Sequence, residues 1–140
     1  MADLTAPQGG KFRILVIEDD PAVARLILVN LAKAGLDCRY APDGVAGLVA
    51  FQETKPHLVL LDIMMPGMNG RDVCARIRET STVPIIMLTA VTGDENQVQG
   101  FKIGADDYVT KPFTPQALIA RVVAHLRRAY RYDMPDDDEE

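Results

Sequence analysis

The sequence predicts an α/β fold: a doubly wound, five-stranded parallel sheet in the order 2-1-3-4-5, with helices on both faces. Three observations carry that expectation. Short apolar runs alternate strictly with segments whose apolar residues recur at helical spacing, the pattern of parallel strands joined by right-handed crossovers. Most runs are apolar almost throughout rather than at every second residue, as expected of strands covered by helices on two sides. Four of them end in polar groups, namely Glu18-Asp19-Asp20, Asp62, Thr89 and Lys111. A parallel sheet would gather these at its carboxyl edge, where open α/β folds place their ligand sites.

Met1 to Gly10 reads as a flexible leader and Phe12 to Ile17 as the first strand. Asp20-Pro21 starts a helix, a capping side chain followed by the residue that tolerates the first helical position. Val23, Leu26, Ile27, Leu31 and Ala34 predict its inner face, and Gly35 its stop. Asp37 to Ala41 is less apolar and suits an edge strand. A helix over Ala46 to Phe51 leads past Pro56 to the third strand, His57 to Leu61. Pro66-Gly67-Met68-Asn69-Gly70 is turn chemistry, followed by a helix from Arg71 to about Arg78 with Val73, Cys74 and Ile77 inward. Val83 to Leu88 is the fourth strand, Glu95 to Ile103 the fourth helix and Tyr108 to Thr110 the fifth strand. Thr114-Pro115 opens a long last helix with Leu118, Ile119, Val122, Val123 and Leu126 in one stripe. In this order the topological switch point lies between the first and third strands, flanked by Asp19 and Asp62.

A chain of 140 residues, 48% apolar and 25% charged, is one globular domain with its own core. The net charge of -5 argues against a nucleic-acid surface built from this segment alone. Part of that charge lies in the acidic run Asp136 to Glu140. Cys38 and Cys74 stand at no metal-ligand spacing and are expected as free thiols. No apolar stretch approaches the ~20 residues that span a membrane, and the first residues lack a signal-peptide pattern. A cytoplasmic protein without membrane partners is expected. His57 and His125 lie at no strand's carboxyl end and are expected at the surface.

Carboxylates, a hydroxyl and an ammonium at one sheet edge suggest phosphoryl chemistry with a divalent metal. Each residue alone has a plainer reading: Asp62 as a turn residue before Pro66-Gly67, Lys111 as a solvated lysine, Thr89 as an ordinary β-branched strand residue, Asp20 as a helix cap. The motifs taken together are more specific. Ile-Leu-Val-Ile-Glu-Asp-Asp-Pro stands at 14–21, Leu-Leu-Asp-Ile-Met-Met-Pro-Gly-Met-Asn-Gly at 60–70, Met-Leu-Thr-Ala at 87–90, and Gly-Ala-Asp-Asp-Tyr-Val-Thr-Lys-Pro-Phe at 104–113. In this order, from Phe12 to Arg128, the chain resembles the receiver domains of two-component response regulators. That family has the flavodoxin-like (βα)5 fold of the chemotaxis regulators. The resemblance divides the chain into a leader (1–10), a receiver domain (11–131) and an acidic tail or start of an interdomain linker (132–140).

The resemblance implies that Asp62 accepts a phosphoryl group from a sensor histidine kinase as an acyl phosphate. Mg²⁺, for which Mn²⁺ could substitute, would be held by Asp19, Asp62 and the backbone carbonyl of Met64, with Glu18 acting through water. A hard cation also offsets the repulsion among the three carboxylates. Lys111 and Thr89 would contact the phosphoryl oxygens, and the Lys111-Pro112 peptide would be cis. Thr89 and Tyr108 match the family's switch pair, which reshapes a surface of the fourth helix, fifth strand and fifth helix. Asp106, Asp107 and Arg121 match a dimer face of the subfamily with winged-helix DNA-binding domains. Gln97 and Ala117 depart from that subfamily's charges. Met64 and Val91 lack the polar groups that position hydrolytic water, which implies slow loss of the phosphoryl group.

Such a domain is no enzyme beyond self-phosphorylation from a phosphodonor and slow autodephosphorylation. Its output would be transcription through a C-terminal DNA-binding domain absent from this chain, the only route to DNA. A stand-alone receiver acting by protein contacts in a phosphorelay is the alternative. A phosphatase of the haloacid-dehalogenase type also uses a strand-end Asp, but it needs a second Asp where this chain has Met64.

Overall fold

A computed structural model of the protein describes residues 4–90 and 104–130. Its five strands are β1 (Arg13–Ile17), β2 (Asp37–Ala41), β3 (Leu58–Asp62), β4 (Ile85–Thr89) and β5 (Asp107–Thr110). The described helices are α1 (Pro21–Lys33), α2 (Gly44–Thr54), α3 (Gly70–Arg78) and the C-terminal α4 (Pro115–Tyr130). All strand pairs are parallel and the order is β2-β1-β3-β4-β5, as expected. The predicted helix over 95–103, Val91, Gln97 and the tail from 131 lie outside the described residues.

Side-chain alternation divides the buried residues of the sheet between two apolar layers. Leu15, Ile17, Val59, Leu61, Ile85 and Met87 face α2 and α3 through Phe51, Val73, Cys74 and Ile77. Ile14, Val16, Leu58, Leu60, Ile86 and Leu88 face α1 and α4 through Ile27, Leu31, Leu118, Val122 and Leu126. Burial on both faces explains the nearly continuous apolar runs of β3 and β4. The edge strand β2 alternates exposed and half-buried residues instead.

The helix starts are set by side chains. Asp20 accepts from the Ala22 and Val23 N–H groups, and Asn69 from Asp72. Thr114 Oγ1 accepts from Ala117 N–H at 3.1 Å and opens α4. Asp43 caps α2 by accepting from Ala46 N–H at 2.8 Å, so that helix starts at Gly44, ahead of the expected Ala46.

Four expectations are corrected. The buried stripe of α1 is Ala24, Ile27 and Leu31, whereas Leu26 is 43% exposed. Residues 24, 27 and 31 are spaced i, i+3, i+7, and position 26 is rotated off that line. Part of the leader is packed: Ala6 is buried, and its carbonyl accepts from Gly9 N–H at 2.8 Å. His57 is buried rather than at the surface, edge-on to both Phe12 and Tyr130. Its Nδ1 accepts from Arg13 N–H at 2.9 Å, and its carbonyl accepts from Tyr130 Oη–H at 2.7 Å. His125 is half-buried against Asp107 rather than freely exposed. Among the described residues, no helix is long and apolar enough to cross a membrane.

Candidate functional site

At the carboxyl edge of the sheet, β1 hands the chain to Glu18, whose N–H donates to Ala41 O of β2 at 3.2 Å. The Glu18 side chain is fully buried. Its Oε2 accepts from Asp20 N–H at 3.1 Å, and its Oε1 lies 3.0 Å from Lys111 Nζ. That ion pair lacks hydrogen-bond alignment, so Oε1 has no aligned donor. Asp19 follows and is exposed. Asp20 turns away from both to cap α1, as expected.

Asp62 ends β3, only 2% exposed, with Oδ1 accepting from Met64 N–H at 3.3 Å and 3.4 Å from Lys111 Nζ. Position 70 must be glycine for the next helix to start here, because a Cβ there would overlap the Asp62 carbonyl oxygen. Burial pushes the Asp62 carboxyl up to about 7, reinforced by hydrogen bonds with Asp19 and Glu18 and by the charge of Glu18. Lys111 opposes the shift without cancelling it. Burial alone would lower the Lys111 ammonium, but its contacts with Glu18 and Asp62 outweigh this and hold it above its ordinary value.

Oxygens of Glu18, Asp19 and Asp62 lie within 4.8 Å of one another. Three crowded carboxylates, one holding a buried oxygen without an aligned donor, form a donor set suited to a hard divalent cation. The backbone N–H of Lys111 donates to Thr89 O at 2.7 Å, which seats the residue just past β5, and its peptide to Pro112 is cis. Thr89 is fully buried at the end of β4, beside the exposed Ala90. Met64 is 62% exposed. Tyr108 is buried in the layer facing α3, and that burial raises its phenol pKa.

The structure thus gathers Glu18, Asp19, Asp62 and Lys111 at one edge, with Thr89 at the adjoining strand end. The three expected dimer-face residues are engaged within the chain. Asp106 accepts from Arg78 and from Ile85 N–H, both at 2.8 Å. Asp107 pairs with Arg121 Nη1 at 2.8 Å and His125 Nε2 at 2.9 Å. Burial would raise the Asp107 carboxyl, but hydrogen bonds from His125, Arg121 and Tyr108 N–H hold it low. Sequence reasoning missed Tyr40, whose hydroxyl donates to the Glu18 carbonyl at 2.9 Å. The signal was its place at the end of the strand expected beside β1.

Residues 14–123 match the family described as the response regulator receiver domain. The chain is 53% identical over 116 residues to the DNA-binding response regulator MtrA of Mycolicibacterium smegmatis, covering 83% of this chain and 51% of that protein. It is 45% identical over 122 residues to the DNA-binding dual master transcriptional regulator RpaA of Synechocystis sp., covering 85% of this chain and 51% of that protein. It therefore spans about half the length of these curated relatives. The BeF3-activated N-terminal receiver domain of Klebsiella pneumoniae RstA superposes with a TM-score of 0.79 at 39% identity, covering 82% of this chain and 98% of that one. By sheet order, by the acidic edge and by these likenesses, the chain belongs to the response regulator receiver domain family.

Proposed function

We propose that this receiver accepts a phosphoryl group on Asp62 from the phosphohistidine of a sensor histidine kinase. The observation that carries the reading is the buried Asp62 carboxylate with an ammonium at 3.4 Å and two further carboxylates beside it. Asp62 Oδ attacks phosphorus, the donor P–N bond breaks and a P–O bond forms. Lys111 supplies fixed positive charge for the phosphoryl oxygens, and Thr89 is the hydroxyl donor to them. Receiver domains bind Mg²⁺ through acidic residues. Here Asp19, Asp62 and the Met64 carbonyl would hold it, with Glu18 acting through water and Mn²⁺ able to substitute. Bound there, the cation neutralises carboxylate and phosphoryl charge.

Thr89 and Tyr108 relay the new charge to the surface around β5 and α4, where Asp107 and Arg121 support a phosphorylation-dependent homodimer. The relatives named as DNA-binding regulators support transcription as the output, through a region outside this chain. Incubation with phosphoramidate in Mg²⁺ or in EDTA, followed by phosphate-affinity electrophoresis, tests the metal dependence. Labelling in Mg²⁺ alone is expected, and full labelling in EDTA contradicts the metal assignment.

A further inference from the structure

We infer that Tyr40 is a positioning residue for the acidic edge: its hydroxyl fixes the Glu18–Asp19 peptide and, through it, the pose of the Asp19 carboxylate. The inference rests on the metal reading above. Two successive peptides at the end of β1 are anchored on β2. The 17–18 peptide donates Glu18 N–H to Ala41 O at 3.2 Å, and the 18–19 peptide accepts from Tyr40 Oη–H at 2.9 Å. Parallel register sets this up, with Val16 opposite Tyr40 and Ile17 opposite Ala41, so the phenol reaches just past the strand end.

A peptide is planar, and its C=O and N–H point in opposite directions. Holding the Glu18 carbonyl toward β2 therefore fixes the direction of Asp19 N–H and the point from which the Asp19 side chain departs. Glu18 does not depend on this contact for its own carboxylate, which is held by Asp20 N–H and Lys111. The exposed Asp19 side chain meets Asp62, itself a candidate ligand of the same cation, so the main chain is its anchor from outside the cluster. The Tyr40 ring packs against the layer facing α1, a task phenylalanine would perform equally well. The hydroxyl is the group that packing does not explain.

Tyr40→Phe deletes that hydroxyl and keeps the ring. Calorimetric titration with Mg²⁺ should show affinity about three- to tenfold weaker than wild type, the scale of one lost hydrogen bond behind a ligand. Arg39→Ala is the control for edge-strand stability, because Arg39 shares β2 with Tyr40 and the change removes its exposed pair with Glu53 of α2 without touching Glu18. It should bind Mg²⁺ as wild type does. Unchanged affinity in Tyr40→Phe overturns the inference, as does an equal loss in Arg39→Ala. Absence of Mg²⁺ binding by wild type overturns the metal reading and the inference together, a result distinct from either.

Discussion

The ammonium of Lys111 lies 3.0 Å from Oε1 of Glu18, a carboxylate with no solvent exposure. Without a cation in the cluster, this lysine is the positive charge that makes burial of Glu18 and Asp62 tolerable. Lys111→Met should therefore lower the stability of the metal-free protein by about 1–3 kcal/mol, since it strands buried acceptors. Mg²⁺ should raise the melting temperature of the variant by more than that of wild type, because the cluster becomes more negative. Thermal melts with Mg²⁺ and with EDTA test both statements, and an equal or smaller Mg²⁺ effect in the variant would contradict them.

Asp62 should give the metal-free protein a distinctive pH dependence. Its folded carboxyl sits at about 7, above the ordinary 3.8, so the folded state binds the proton more tightly than the unfolded chain does. Its contribution to stability is fully present below 3.8 and is lost as pH rises through about 7. Melting in EDTA should fall across that window, and Asp62→Asn should flatten the fall. Saturating Mg²⁺, which displaces the proton, should remove it in wild type.

His57 acts in the opposite direction. Burial and the nearby Arg13 charge lower its imidazole below 6.5, and Nδ1 must stay unprotonated to accept from Arg13 N–H. Its contribution is present above 6.5 and is lost as pH falls through the folded value. In Mg²⁺-saturated protein, where Asp62 is silent, melting should drop on acidification, and less so in His57→Gln. Proton NMR of the imidazole should report a titration midpoint below the ordinary histidine value.

Asp106 and Arg121 should separate structural from associative roles. Asp106→Ala strands Ile85 N–H and leaves Arg78 only its contacts with Gly104 O and Ser81 O among those described, and should cost about 1–3 kcal/mol of monomer stability. Arg121→Ala removes an exposed pair while His125 remains on Asp107, so it should cost about 0–1 kcal/mol. The same variant should weaken dimerisation of the phosphorylated protein in sedimentation velocity. Unaltered dimerisation would place the interface elsewhere.

The order of the sheet and the grouping of Glu18, Asp19, Asp62, Thr89 and Lys111 were legible because each polar residue directly ends an apolar run. A parallel sheet turns that linear fact into a spatial one. What was not legible depended on partners distant in sequence. His57 is buried by Phe12 and Tyr130, the latter separated from it by 73 positions, and nothing local signals that. Ala24 displaces Leu26 from the core because helix phase, not side-chain size, decides which face is covered. Tyr40 carries no local signal, because only the pairing register sets its hydroxyl on the Glu18 carbonyl.

The central claim is that Asp62 is the phosphoryl acceptor. Intact-mass and peptide-mapping spectrometry after incubation with phosphoramidate and Mg²⁺ tests it most directly, with wild type beside Asp62→Asn. A single phosphoryl adduct on the wild-type peptide containing Asp62, and none on the variant, is the expected result. An undiminished adduct on Asp62→Asn would contradict the account and move the nucleophile elsewhere in the cluster, with Asp19 the first residue to examine.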